Sequence, residues 1–152
     1  MTGCAETKKA HKLTIIAGEQ NIKCTPVSRS GEFDSADVFK SFFTEEALPE
    51  LKNIKANETL LLKFEGDQPI KVTIKDIPLS SDGGYLYSEK LSPETLLTNK
   101  DENFSFVLGK NLASALSSQF DPTKINYRGF KVNATWESGD EKYIFVIKEK
   151  EQ

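Results

Sequence analysis

The sequence predicts a mainly β fold, an antiparallel two-sheet sandwich of about seven strands with one or two short helical inserts. Apolar and polar residues alternate in short runs, which is the period of a strand with one buried face. Turn-forming residues separate these runs, as at 80–84 and 137–141. The chain has 152 residues, the size of one domain, and its ten Phe, four Tyr and one Trp supply large core side chains.

The N-terminal part of the chain divides into a polar start and the first strands. Residues 1–11 predict a flexible tether, and residues 12–150 predict a single β-sandwich domain. The segments 13–17 and 22–27 both have the residue pattern of extended chain. Pro26 favours an edge position or a bulge, because proline cannot donate to a strand ladder.

A second kind of pattern begins near residue 35 and predicts a short amphipathic helix. Asp34 or Ser35 is the candidate N-cap, and the helix is expected to end before Pro49. An apolar stripe at this spacing is expected to pack on the core rather than to form a ligand groove. The stripe consists of Val38, Phe39, Phe42, Phe43 and Ala47.

The middle of the chain predicts a β-hairpin. Its strands are 58–64 and 69–75, and residues 65–68 form the turn between them. Every second residue from Ile70 to Ile74 is apolar, and the residues between them are polar. We therefore expect a hairpin with one face exposed to solvent.

The last part of the chain predicts two short strands, a helix and a long closing hairpin. The short strands are 85–87 and 104–108, the helix is 112–117, and the hairpin joins 125–136 to 142–148. The side chains expected to face each other across the hairpin are Phe130, Val132, Ala134 and Trp136 on one strand and Tyr143, Phe145 and Ile147 on the other.

This closing hairpin resembles the last two strands of an immunoglobulin-like domain. The resemblance covers about the last third of the chain and implies an immunoglobulin-like sandwich. The sequence departs from antibody domains, because it lacks their Cys-Trp-Cys spacing and has two helical inserts. A β-barrel with helical plugs is the alternative fold.

The charge and hydropathy patterns argue against nucleic-acid binding and against a membrane-spanning helix. The net charge is −3, and the eighteen Lys and two Arg residues are scattered rather than gathered in a stripe. Nucleic acid is therefore not expected as a partner, since phosphate binding needs a concentrated positive face. The sequence has no apolar run of about 18 residues, so we expect no membrane-spanning helix.

Catalytic chemistry is not expected from the residues present. His11 is the one histidine and lies in or beside the tether, where a general base would not be held rigidly. Without it, Ser-His-Asp and Cys-His triads cannot form. Cys24 is expected to be a small buried apolar residue, and a disulfide with Cys4 stays open. We expect no cofactor and no metal site.

Three groups of polar residues remain as weaker candidates. Most carboxylates lie at turns, where solvation explains them. Asp82-Gly83-Gly84 and Asp101-Glu102-Asn103 could offer oxygen ligands to calcium, but neither has EF-hand spacing. Tyr85 and Tyr87 could form a binding patch, although packing within the sheet is the favoured role.

The tripeptide Thr2-Gly3-Cys4 resembles the end of a bacterial lipobox, and a polar segment and a β-rich domain follow it. The resemblance implies that Cys4 carries a diacylglyceryl thioether and anchors the domain to the bacterial cell membrane on its extracytoplasmic side. Several acyl chains give a stable anchor where one does not. Met1 would then be an expression start in place of the usual aliphatic residue.

These observations favour a non-enzymatic, surface-anchored lipoprotein that binds a protein or an envelope component. The alternative is a secreted hydrolase or protease inhibitor of immunoglobulin-like fold, with residues 80–85 or 93–103 as its presented loop. A third hypothesis is a carboxylate hydrolase, which needs two acids converging in a pocket. The identity of the partner, the strand order and the oligomeric state stay open.

Overall fold

The computed structural model of the protein describes residues 11–27, 30–55, 57–86, 92, 94–100, 103–109 and 126–149. Within this part of the chain the fold is mainly β. The strands are β1 Leu13–Ala17, β2 Gln20–Ile22, β3 Thr25–Val27, β4 Thr59–Phe64, β5 Lys71–Leu79, β6 Glu94–Leu96, β7 Thr98–Lys100, β8 Asn103–Val107, β9 Asn126–Trp136 and β10 Gly139–Glu149. The helical turns are α1 Ser30–Phe33 and the 3-10 helices Lys40–Phe43 and Leu48–Glu50.

The strands form two antiparallel sheets of five strands each. Sheet A has the order β2-β1-β4-β8-β7, and sheet B has the order β3-β10-β9-β5-β6. The two sheets share one apolar core, in which alternate side chains of the longer strands β1, β4, β5, β9 and β10 are buried. Aromatic rings form the centre of this core: Phe130 stacks on Phe145 at 4.7 Å, and Phe64 meets Trp136 and Tyr143 edge-on.

The chain crosses from one sheet to the other at both edges of the sandwich. Residues 23–24 lead from β2 at the edge of sheet A to β3 at the edge of sheet B. At the opposite edge, the buried residue Leu97 leads from β6 to β7. These crossings leave all four edge strands three residues long. Such short edges offer little template for pairing with another chain.

Sheet B is also covered on its outer face, where residues 30–51 pack over β5, β9 and β10. The side chains of Phe39 and Leu79 approach the backbone of Gly129 closely because glycine has no side chain. A Cβ at this position would lie 2.8 Å from the Phe39 ring and 2.9 Å from Leu79 Cδ1. The buried members of this second core are Val27, Val38, Phe39, Phe42, Leu51, Ile77, Leu79, Ile144 and Val146.

The clearest sequence patterns are confirmed. The strand expected at 13–17 is β1, and the closing hairpin is β9 and β10 in continuous register. Phe130 pairs with Phe145, and the expected facing side chains are buried. Pro26 lies in an edge strand, as its missing donor indicated.

The expected hairpin of 58–64 and 69–75 is wrong. Its two segments contain β4 and β5, which lie in different sheets and pair with different neighbours. The expected solvent-exposed face is also only partly present, because Lys71 is exposed but Thr73 is buried and Lys75 is half-buried. Ile70 lies before the strand and is 67% exposed. Residues 65–68 therefore connect the two sheets instead of turning within one.

The expected helix from Ser35 to Ala47 is wrong, although its apolar stripe does pack on the core. The structure has turns and short 3-10 helices there, and Pro49 lies within the second of them. Phe, Asp, Ser, Thr and Val are weak helix formers, and this stretch is rich in them. Burial of Val38, Phe39 and Phe42 fixes the segment instead.

Several shorter expectations need adjustment. The segment 22–27 is broken at the sheet crossing, and the strand β8 was expected one residue late. Of the expected strand 85–87, Tyr85 makes one isolated bridge to Leu79, and Tyr87 lies outside the described residues. The helix expected at 112–117 also lies outside them. The strands β6 and β7 were not expected.

Candidate functional site

A groove of about 300 Å³ lies at the edge of sheet B, between the β2–β3 crossing and the segment 41–52. Pockets for small ligands begin at about this size. The crossing supplies one wall, the second 3-10 helix supplies the other, and β10 lies at the bottom. The apolar lining residues are Ile22, Phe42, Ala47, Leu51 and Val146.

Charged residues line the same groove. Lys23 lies on the crossing, and Lys52 lies on the opposite wall after the second 3-10 helix. Both side chains are exposed. Glu50 is the acid among the described lining residues, so the groove carries more positive than negative charge. An apolar bottom with cationic walls suits a ligand that has both an apolar and an anionic part.

A second polar cluster holds the start of the described chain against the beginning of β10. Glu141 Oε1 accepts a hydrogen bond of 2.6 Å from the His11 N–H, and Oε2 lies 2.7 Å from His11 Nδ1. The carboxylate is an acceptor, so Nδ1 carries the donated proton. The Tyr143 hydroxyl lies 2.8 Å from both His11 O and Glu141 Oε1. The His11 ring stacks on Trp136 at 4.1 Å.

These contacts set the protonation of the cluster. Burial alone would raise the pKa of Glu141, but hydrogen bonds from His11 and Tyr143 outweigh it and hold that pKa below its ordinary value. Burial, together with the neighbouring carboxylate, raises the pKa of the Tyr143 hydroxyl. Burial also raises the pKa of the Cys24 thiol to about 11. Glu141 is therefore charged and the other two groups are neutral at pH 7.

A third cluster is an ion network on the inner face of sheet B. Arg128 donates from Nε to Asp76 Oδ1 at 3.1 Å and from Nη1 to Glu149 Oε1 at 2.9 Å, and its Nη2 also bonds Asp76. The side chain is 3% exposed for Arg128, 14% for Asp76 and 8% for Glu149. Burial alone would lower the pKa of Arg128, but the two carboxylates outweigh it and raise that pKa. Such a fully paired network holds three strands together at one end of the sandwich.

The structure does not gather the candidate residues of the sequence into one site. Cys4 lies outside the described residues. His11 is fixed by Glu141 and Trp136 rather than free beside the tether. Cys24 is half-buried and donates to Leu13 O at 3.2 Å, so its role as a packed, unreactive side chain is consistent with its position.

The other candidates lie apart from the groove. Tyr85 is half-buried against the second core, and its hydroxyl donates to Ser35 O at 3.2 Å. The loop 80–84 is braced internally: Asp82 bonds the Ser80 hydroxyl and the Gly84 N–H. These bonds hold the pKa of Asp82 below its ordinary value. Residues 101 and 102 lie outside the described part of the chain.

Sequence reasoning missed the buried ion network and the groove. One signal for the network was present, because Arg128 has the same strand parity as the apolar residues Phe130 and Val132. A cation in such a position needs buried acceptors. Nothing in the sequence pointed to the groove, because its walls come from segments that are about 25 residues apart in the chain.

No protein-family model matches the chain, and no curated protein matches it. Among the described residues, no three His, Cys, Asp or Glu side chains are grouped so that they could hold a metal ion. None of the described helices has the length and apolar character needed to cross a bilayer.

Proposed function

We propose that the protein is a non-enzymatic binding module of the bacterial envelope, anchored through a lipid on Cys4 and binding a protein or an envelope component. The observation that carries the binding role is the groove at the edge of sheet B. It is concave, it has an apolar bottom, and it carries two exposed lysines. A surface of this kind is typical of a ligand site on a small domain.

The lipid anchor rests on the lipobox-like residues Thr2-Gly3-Cys4. The position of His11 is compatible with such an anchor, because this residue is fixed near the turn between β9 and β10. Six residues lie between Cys4 and His11, and the seven Cα-to-Cα steps of this segment span at most about 25 Å when the chain is extended. The groove is lined by Val146, five residues beyond Glu141 along β10, and therefore lies about 17 Å from the residue that holds His11. In this arrangement the groove lies away from the end of β10 at which the tether joins the domain.

The immunoglobulin-like class is part of this proposal. It is supported by the closing hairpin, in which β9 and β10 are neighbours in one of two packed antiparallel sheets. Many domains of this architecture bind partners without catalysing a reaction, although fold alone does not assign function.

Photo-crosslinking in the native host tests the binding role. A benzophenone amino acid at Ser41, an exposed lining residue, is expected to crosslink one defined partner. Ala47→Trp fills the groove and is expected to remove that product, whereas the same photoreactive residue at the distant, exposed Lys63 of β4 gives none. If Ser41 and Lys63 give the same products, or if Ala47→Trp leaves the Ser41 product unchanged, the groove does not bind the partner.

A hydrolase inhibitor remains a second candidate, favoured by the bracing of the loop 80–84. Ser81 and Asp82 are exposed at its tip, while Ser80 N–H donates to Gly84 O at 2.8 Å. Rigid loops bind with a smaller loss of conformational entropy. Inhibition of one enzyme in a panel of hydrolases, lost in Asp82→Ala, is the expected result for an inhibitor, and no inhibition across the panel would refute this role.

A further inference from the structure

The outer edge of β10 is the edge that faces away from β9, and among the described residues its hydrogen-bonded neighbours leave a gap. β3 pairs with β10 from Lys142 to Ile144. Farther along, the Lys148 N–H donates to Lys52 O at 2.9 Å, and Lys148 O accepts from the Ile54 N–H at 2.8 Å. Between these two partners lies Val146, which pairs with Gly129 of β9 and has no strand partner among the described residues on its other edge.

The direction of the Val146 backbone follows from its neighbours. Backbone N–H and C=O groups of successive residues in a strand alternate between its two edges. β9 and β10 run in register without a bulge, and Lys148 directs both of its groups to the outer edge. Val146 is two residues away and therefore directs its N–H and C=O to the same edge. This is the edge at which the groove lies.

The gap is closed at both ends, and this limits what can enter it. β3 occupies the edge up to Ile144, and residues 52–54 occupy it from Lys148. The side chain of Gln20 also donates to Asn53 O at 3.2 Å and ties the two walls together at that end. Four residues of strand span only about 14 Å. A strand that runs through does not fit, whereas the end of a chain does.

The charge of the groove selects which end of a chain fits. Lys23 and Lys52 lie on opposite walls and favour an anion, so a C-terminal carboxylate is preferred over an N-terminal ammonium. Glu50, which also lines the groove, disfavours additional acidic residues in the ligand. The apolar surface of Phe42 and Leu51 beside the gap suits an aliphatic side chain.

We propose that the groove binds the C-terminal residue of a peptide. The main chain of that residue pairs with Val146, its carboxylate lies between Lys23 and Lys52, and its aliphatic side chain contacts Phe42 and Leu51. This proposal rests on the proposed function as a binding module and names the class of ligand, a protein or peptide with an apolar C-terminal residue and a free carboxylate.

Titration of the 15N-labelled protein with acetyl-Gly-Gly-Leu tests the proposal. With the free carboxylate we expect saturable shifts of the amide resonances of Val146 and Leu51. The same peptide as a carboxamide is expected to bind at least about fivefold more weakly. Lys23→Gln and Lys52→Gln are each expected to weaken binding about two- to fivefold, as exposed ion pairs do. Lys63→Gln, which removes an exposed lysine from β4, is expected to leave binding unchanged.

Two results would overturn the proposal: no saturable shift with the free carboxylate, or equal binding of the acid and the amide. Ala47→Trp is the blocking control, and its amide spectrum shows whether it stays folded. The crosslinking experiment distinguishes a failure of the peptide proposal from a failure of the proposed binding function. If Ala47→Trp removes the crosslinked partner while acetyl-Gly-Gly-Leu fails to bind, the groove is a binding site and the C-terminal ligand is wrong. If the crosslink at Ser41 also survives Ala47→Trp, both proposals are wrong.

Discussion

Replacement of Arg128 by methionine tests how far the fold depends on its buried ion network. The Arg128 side chain is 3% exposed and bonds Asp76 and Glu149 from three of its nitrogen atoms. Methionine keeps an unbranched apolar stem of similar reach but has no charge and no hydrogen-bond donor. Arg128→Met therefore leaves two largely buried carboxylates without the cation between them.

The magnitude follows from the burial of the three groups. Removing one partner of a buried ion pair costs about 3–5 kcal/mol, because the other charge loses its compensation in a site of low polarity. A domain of this size is stable by about 5–15 kcal/mol in total. We expect Arg128→Met to lower the free energy of unfolding by about 3–5 kcal/mol at pH 7, which is a large part of the stability of the fold.

Urea unfolding followed by the fluorescence of Trp136, the one tryptophan, measures this change. Lys63→Met is the matched control, since it removes an exposed cation from β4, and it is expected to change stability by less than about 0.5 kcal/mol. Adding Asp76→Leu and Glu149→Met to Arg128→Met removes all three charges and should restore at least about 2 kcal/mol. A loss below about 1 kcal/mol for Arg128→Met, or no restoration in the triple variant, would refute the reasoning.

Three further predictions concern single residues. The lowered pKa of Glu141 means that its charge stabilises the folded state above the ordinary pKa of 4.5 and that this contribution is lost as the pH falls through the lower folded value. Glu141→Gln is therefore expected to lower the free energy of unfolding by about 1–2 kcal/mol at pH 7. The difference in urea midpoint between this variant and the unsubstituted protein should become smaller below pH 4.5. A difference that does not change with pH would contradict this reasoning. Gly129→Ala is expected to lower the free energy of unfolding by about 1–3 kcal/mol in thermal unfolding, because its Cβ would meet side-chain carbons below 3.0 Å. Gly109→Ala has open space around it and is expected to cost less than about 0.5 kcal/mol. Equal effects of the two substitutions would contradict the close approach at Gly129. The pKa of the Cys24 thiol is raised to about 11, so little of the thiol is ionised at pH 8. In a Cys4→Ser background, Cys24 is therefore expected to react with a thiol reagent at pH 8 at least about tenfold more slowly in the folded protein than in urea. Equal rates would show that the Cys24 thiol is accessible and ionised in the folded protein.

The sequence allowed the long strands to be predicted because their alternation continues over many residues. β9 and β10 together cover 22 residues with one short turn, so their pattern is difficult to mistake. The helix expected from Ser35 failed for the opposite reason. Its stripe of phenylalanines required burial but not a helical backbone, and contact with Gly129 and its neighbours decided the local structure.

Sheet membership could not be predicted from local patterns. The two segments around residues 65–68 have the alternation and the turn of a hairpin, and nothing in them shows that β4 and β5 belong to opposite sheets. The crossings at 23–24 and Leu97 also have no sequence signal, because a bend between sheets needs no special residue. The groove depends on the first of these crossings and on the segment 41–52, so it is a product of the topology rather than of a motif.

The mass of the N-terminal peptide, from the protein expressed from its own gene in its own host, tests the envelope location most directly. A peptide that begins at Cys4 and carries two or three acyl chains is the result expected for a membrane-anchored binding module. A peptide that begins at Met1 with an unmodified Cys4 would contradict the lipid anchor, and the partner of the groove would then have to be sought elsewhere than at the membrane surface.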